Sequence, residues 1–423
     1  MTSILCPELC RPAISRRGLI RTAAAAGAAS LVYPAFGTFA ASEQPVKIGM
    51  VDPVTGTYAA LGTSEIEGAK MAIEEINAKG GVLGRPLQMF VEDSAADPGQ
   101  AVQKARKLVG QQKVDFLMGA VSSAVSLSLN QTAAGLGILY MDTGGHTDPV
   151  TGTECRWTTF RICSTTWMLA AGNFQTLLQK FGKRWYFITP DYAYGHSVQA
   201  AYAQLLQKAG GTVLGNALAP LGSTDFTSYL IGAKAANPTA LLLLMGGDDL
   251  VNCLKQVTQF GLESSMPVAG PLLELEVLSA LPEQARLGWW GFEWWWDQPN
   301  QPHVKEFVEA FGKRVNGKRP TARVWFGYAG THAIALAAEK AKSIESMKVA
   351  KALEGLELPP EVALEPNNPT FDPGNHQLDI SLFEGHVKKN ATYPGLFDVV
   401  ETVPGSRIAK AGAQSGCHMT YPS

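Results

Sequence analysis

The sequence predicts an α/β protein of two lobes, each a parallel sheet covered by helices on both faces. Three observations carry the prediction. Short apolar runs alternate with helix-period stretches from residue 46 onward. The alternation lapses near Cys163 and then restarts. The chain has 423 residues, more than one hydrophobic core organises, which points to domains of about 100–200 residues each.

The elements follow in order. Residues 46–51 are a short apolar strand. Over 65–77 the residues Ile66, Ala69, Ala72, Ile73 and Ile76 recur at helical spacing. Strand 87–91, helix 99–109, strand 114–118, helix 122–134 and strand 138–141 come next. Strands joined through helices pair in parallel, and strands buried on both faces read as continuous apolar runs, as these do. The second series runs helix 169–181, strand 185–189, helix 198–209, strand 212–214, helix 229–236, strand 241–245 and helix 250–260. Residues 325–341 form a further long helix. The stretch 359–403 is rich in Pro and Gly, with strand-like runs at 378–383 and 396–400.

Composition narrows the class. Charged residues are 17% and hydrophobic residues 46%, against a usual charged share of about 25%. That excludes a disordered chain. The net charge of −2 offers no basic excess for phosphates, so nucleic acid is not an expected partner. Gly 43 and Pro 25 imply many turns between short elements.

Residues 1–41 read as an address. Arg16-Arg17 precede an apolar run from Ala23 to Val32, too short to span a bilayer, with small residues at Thr38-Phe39-Ala40-Ala41. The arginine pair resembles the twin-arginine export signal; an ordinary secretory signal is the plainer reading. Arg11, Arg16, Arg17 and Arg21 against Glu8 give the segment a net +3, so the remainder carries −5. Cys155, Cys163, Cys253 and Cys417 remain, and four cysteines in an exported chain allow three full pairings.

Catalytic signatures are missing. No phosphate-cradling loop, dinucleotide fingerprint or nucleophile elbow is present. The seven histidines show no metal-ligand spacing, so neither metal nor cofactor is expected. A two-lobed α/β chain of this kind is expected to bind a small molecule between its lobes without being an enzyme.

Several stretches carry a resemblance. They are Ile48-Gly49-Met50, Gly56-Thr57-Tyr58-Ala59-Ala60-Leu61-Gly62, Glu67–Asn77, Gly80-Gly81-Val82-Leu83-Gly84-Arg85-Pro86-Leu87, Glu92-Asp93-Ser94, Gly119–Ser123 and Asp191-Tyr192-Ala193-Tyr194-Gly195. Together they resemble the type I periplasmic substrate-binding proteins of the leucine/isoleucine/valine-binding family, which serve ABC importers. The resemblance implies two Rossmann-like lobes, three hinge crossings and a ligand cleft between the lobes. On it, 46–162 is lobe one, 163–292 lobe two, 293–345 lobe one again, and 346–423 lobe-two strands and tail. The crossings fall near 161–164, 292–298 and 343–347. A branch of the family ends in Ser-Gly-Cys, as Ser415-Gly416-Cys417 does, and so implies a Cys155–Cys417 disulfide; Cys155–Cys163 is the local alternative.

The resemblance also implies a site. Tyr58 and Tyr194 match positions that wall the pocket from opposite lobes, and a tyrosine supplies a flat face with one polar tip. Ser122 and Ser123 open a helix at a strand end, where hydroxyls and amides suit a carboxylate; helix capping is the plainer role for Ser122. Gly145 and Thr147 would meet the ligand's polar end, and His146 is either a contact or a solvated loop residue. Asp249 would face an ammonium or amide, with Asp248 as helix cap. Family members that bind branched-chain amino acids carry an acid just after Gly-Pro; here Gly270-Pro271 precedes Leu272-Leu273-Glu274, so Glu274 is displaced. Five of nine tryptophans lie in 289–296, read as hinge packing, with pocket lining the alternative. The expected function is a monomeric periplasmic receptor that captures an amino acid, related carboxylate or amide, aromatic acids included, for an ABC permease. The alternative is a sensor that signals to a membrane receptor.

Overall fold

The computed structural model describes residues 44–422, so the 1–41 address lies outside the described residues. The first lobe contains β1 (Val46–Asp52), α1 (Ala59–Ala78), β2 (Leu87–Asp93), α2 (Pro98–Lys107), β3 (Phe116–Gly119), α3 (Ser123–Leu136), β4 (Leu139–Asp142) and β5 (Thr159–Arg161). Its sheet has the order β2-β1-β3-β4-β5 and is parallel throughout. The second lobe contains α4 (Thr166–Phe181), β6 (Arg184–Pro190), α5 (Ala193–Lys208), β7 (Thr212–Ala219), α6 (Thr227–Ala236), β8 (Ala240–Leu243), α7 (Gly247–Gln259), β9 (Val268–Ala269), α8 (Leu275–Ala280) and β10 (Trp289–Phe292). The chain then returns to lobe one with α9 (Val304–Arg314), α10 (Ala322–Ala341) and α11 (Ser346–Leu353), and ends in lobe two with β11 (Leu382–Val387) and β12 (Phe397–Val403).

Three expectations need correction. The second sheet, β12-β11-β10-β9-β8-β6-β7, is mixed. Strand β11 pairs antiparallel with β10 and with β12; the nine-residue link between β11 and β12 is too short for a parallel crossover. The expected strand at 378–383 starts only at Leu382. The third crossing is also later than expected. Helix α11 stays with lobe one, where the Ser346 hydroxyl accepts from the Leu139 amide at 3.0 Å. Residues 376–378 then pair beside β5, with Arg161 N to His376 O at 3.1 Å and Leu378 N to Arg161 O at 3.0 Å. The chain therefore enters the second sheet just before Leu382, not at 343–347.

Helix α10 is buried on nearly all sides, which explains its mostly apolar sequence from Ala322 to Ala338. It lies very close to α1. A Cβ built on Gly68 would stand 1.8 Å from the Val324 carbonyl oxygen, and one on Gly327 1.9 Å from that of Glu65. Only glycine allows that approach, and it sets Glu65 beside Arg323. Cys155 and Cys417 are bonded and fasten the tail to lobe one, while Cys163 and Cys253 are buried thiols. Trp290, Trp294 and Trp295 are core residues. Among the described residues no helix is long and apolar enough to cross a membrane.

Candidate functional site

The carboxyl ends of β1, β3 and β4 meet in register, with Val51 beside Gly119 and Gly119 beside Asp142. Open α/β sheets bind ligands at such an edge. Here the edge faces lobe two across a narrow space of about 330 Å³, open solvent included, of which about 20 Å³ has room for water. Lobe one lines it with Tyr58, Leu61, Val121, His146 and Arg323; lobe two with Tyr192, Tyr194, Met245, Gly246, Leu272 and Glu274.

The lobes are in contact around this space. The Tyr58 and Tyr192 hydroxyls are 2.7 Å apart. Asp248 N donates to Thr57 O at 3.2 Å, and Asp148 N to Ser197 Oγ at 3.2 Å. The Tyr192 and Tyr194 rings stand 6.1 Å apart, and His146 meets the Tyr194 ring edge-on at 5.9 Å.

A buried charge chain crosses the cavity. Arg323 donates through Nη1 to Glu65 Oε1 at 3.0 Å and through Nη2 to Glu274 Oε1 at 2.9 Å. All three side chains are at most 4% exposed. Burial pushes Glu65 up to about 7, against the pull of Arg323 and the Thr143 hydroxyl. Burial would lower Arg323, but Glu274, Glu65 and Glu293 outweigh it and raise the guanidinium above its ordinary value. A second pair links His146 Nε2 to Glu293 Oε2 at 2.7 Å, while Glu293 Oε1 accepts from Ser164 N at 2.7 Å. Burial opposes ionisation of Glu293, yet His146, Arg323 and the Ser164 amide hold it below the usual carboxylate range. Two of the three crossing segments are thus tied to the cavity wall.

Three buried polar atoms here have no partner: Ser122 Oγ, Glu274 Oε2 and Arg323 Nε. Ser122 sits at the N-cap position of α3 but makes no capping bond. Native structures rarely leave such atoms unpaired, so each offers itself to a ligand.

Of the expected site residues, Tyr58, Tyr194 and Glu274 line the cavity, and Ser122 follows Val121, which does. Ser123, Gly145 and Thr147 do not line it. The Ser123 hydroxyl accepts from Thr147 N at 3.1 Å, and Gly145 N donates to Asp142 at 2.9 Å. The buried Arg161 holds the carbonyls of Gly145 and Thr147 at 2.9 and 2.7 Å. These groups are spent on shaping the loop that presents His146. Asp249 also lies outside the lining. Both its oxygens accept from Gly222 N at 3.1 Å. The cap of α7 is Gly246 rather than Asp248. No tryptophan of 289–296 lines the cavity.

Residue reasoning missed Arg323, Glu65, Glu293 and Tyr192. A signal for Arg323 was present: it is the one Asp, Glu, Lys or Arg between Ala322 and Ala338 of a mostly apolar helix that Thr321 caps.

Burial, ahead of the neighbouring Asp248 charge, pushes Asp249 up to about 6. A carboxyl raised in the folded state stabilises fully below its unfolded pKa of about 3.9. That stability is lost as pH rises through about 6. Denaturant midpoints should therefore fall from pH 4 toward pH 7 for the natural protein relative to Asp249→Asn. Parallel curves for the two proteins would contradict the assignment.

Comparison with known proteins agrees with this architecture. A family profile described as "Periplasmic binding protein" matches residues 45–391. A Leu/Ile/Val-binding protein homolog of Brucella abortus is 28% identical over 315 residues, covering 73% of this chain and 82% of its own. The crystal structure of a periplasmic binding protein from Burkholderia mallei has a TM-score of 0.82 at 27% identity, covering 88% of this chain and 98% of that one. An amino acid ABC transporter substrate-binding protein from Pseudomonas fluorescens has a TM-score of 0.77 at 25% identity, covering 89% and 100%.

Proposed function

The chain belongs to the periplasmic binding protein family, and from that premise we propose that it captures an amino acid, or a related small carboxylate or amide, and delivers it to an ABC permease. The observation that carries the reading is the pair of unpartnered atoms on residues lining the interlobe cavity, Glu274 Oε2 and Arg323 Nε, with the unpartnered Ser122 Oγ beside the lining residue Val121. A carboxylate or amide oxygen suits the N-terminus of α3, where the helix dipole and the Ser122 hydroxyl favour negative charge. An ammonium or amide N–H suits Glu274 Oε2. Tyr58, Tyr192 and Tyr194 supply flat apolar walls for the rest, so an aromatic acid remains among the candidates. The names of the Brucella and Pseudomonas relatives support an amino acid. The address at 1–41 fits export to the periplasm.

Calorimetric titration tests the arrangement. Ser122→Ala should weaken binding about fivefold, near 1 kcal/mol, for any ligand with a carboxylate. Glu274→Gln should weaken an amino acid about 10–100-fold and its des-amino analogue much less. Equal losses for both ligands would remove Glu274 from the ammonium role.

A further inference from the structure

The tail leaves lobe two at Val403, the end of β12, and is bonded to lobe one at Cys417. It changes lobe within a few residues. The helical turn Gly405–Ile408 packs on α4, and Ile408 is buried. Lys410 sets its ammonium over the ring of Trp167, in the first turn of α4, 3.7 Å from the centroid.

The next bonds lead to lobe one. The Lys410 carbonyl accepts from Asn375 Nδ2 at 2.7 Å, and Gly412 N donates to Asp372 Oδ1 at 3.2 Å. Both partners lie in the turn 372–378, which pairs beside β5. The Ser415 hydroxyl donates to the Thr151 carbonyl at 3.2 Å, and Cys417 is joined to Cys155. Beyond the disulfide, the Tyr421 hydroxyl donates to Glu354 at the end of α11, and its ring stands 6.0 Å from that of Trp157.

This path doubles the first crossing. That crossing runs from Cys155 in lobe one through 161–164 to Trp167 at the start of α4. The tail returns from Trp167 to Cys155. Two lengths of chain therefore join the same two places. A hinge moves by changes at a few backbone dihedrals. One connector can swing and twist freely; two that are fixed at both ends restrain each other.

We propose that the disulfide-closed tail is a fourth link between the lobes, a strap beside the hinge that resists their separation. A cross-link restricts a loosened ensemble more than a compact one. With the disulfide broken, the free chain end follows either lobe, and opening costs less.

Hydrogen–deuterium exchange of the purified protein, read by mass spectrometry, tests this without any solute. The reporter is Asp248 N, which donates to Thr57 O across the lobes and makes no bond to the tail. Cys155→Ser combined with Cys417→Ser should raise its exchange at least about fivefold, while β3 and β8, one in each lobe, keep their rates. A second variant keeps the disulfide but lengthens the strap with Gly-Ser-Gly-Ser between Lys410 and Ala411. It should also raise exchange at Asp248, because a slack, flexible strap restrains nothing. Unchanged exchange at Asp248 in either variant would overturn the proposal; if only the lengthened one is unchanged, the disulfide serves lobe one alone. Equal acceleration in β3 and β8 would overturn it too, by showing a general loss of stability.

Discussion

Replacing Arg323 with methionine is expected to lower the unfolding free energy by about 3–5 kcal/mol, the cost of leaving buried charge without its partner. Arg323 bridges Glu65 and Glu274, and none of the three side chains is more than 4% exposed. The two carboxylates differ in what they can do next. Glu65 is fixed inside lobe one between α1 and α10, so its loss cannot be relieved. Glu274 belongs to lobe two and regains water when the lobes part. The variant should therefore be less stable and biased toward the open form. Urea unfolding reads the first effect and the radius of gyration in solution scattering the second. Adding Glu65→Gln should return about 1–3 kcal/mol, because the neighbouring substitutions are coupled. Simple additivity of the two substitutions would show that the pair does not carry the stability assigned to it.

Replacing Gly247 with valine is expected to abolish solute binding with little loss of fold, weakening affinity by about 100-fold or more. Gly247 opens α7 at φ +57. A Cβ there would stand 2.6 Å from the Thr57 carbonyl oxygen and 2.7 Å from Tyr58 Cδ1. Both atoms belong to lobe one, so the clash exists only in the closed form. A left-handed backbone also penalises any side chain by about 1–2 kcal/mol. Gly261→Ala separates the two effects: its φ is +61, but nothing lies within 4 Å of the added carbon. The control should bind solute normally. Equal loss of affinity in both variants would mean that backbone strain, and not blocked closure, is responsible.

Much of the architecture was legible because parallel strands and the helices between them leave separate signals of period. Four of the first sheet's five strands follow directly from such signals, while the fifth, β5, is three residues long and too short to show a period. The tail was less legible. Leu358, Phe371 and Leu378 are buried with little regular structure of their own, so periodicity gave no sign of where the chain crosses. Tyr58 and Tyr194 were legible from motifs that keep their local sequence, and Glu274 only as an acid displaced from Gly270-Pro271. Arg323 left only a local hint, a charge in an apolar stretch, and its role was hidden because its partners Glu65 and Glu274 are 258 and 49 positions away. Ser123 and Thr147 misled for a related reason. Their residue types suit a ligand, but the fold sets them against each other at 3.1 Å and satisfies them internally.

The central claim is that the closed cavity holds a small solute. Native mass spectrometry of the purified protein, alone and after incubation with a panel of amino acids, amides and aromatic acids, tests it most directly. The predicted result is a one-to-one complex with a small carboxylate or amide, released on unfolding and absent from Gly247→Val. A spectrum showing only the unliganded mass under every condition would contradict the claim.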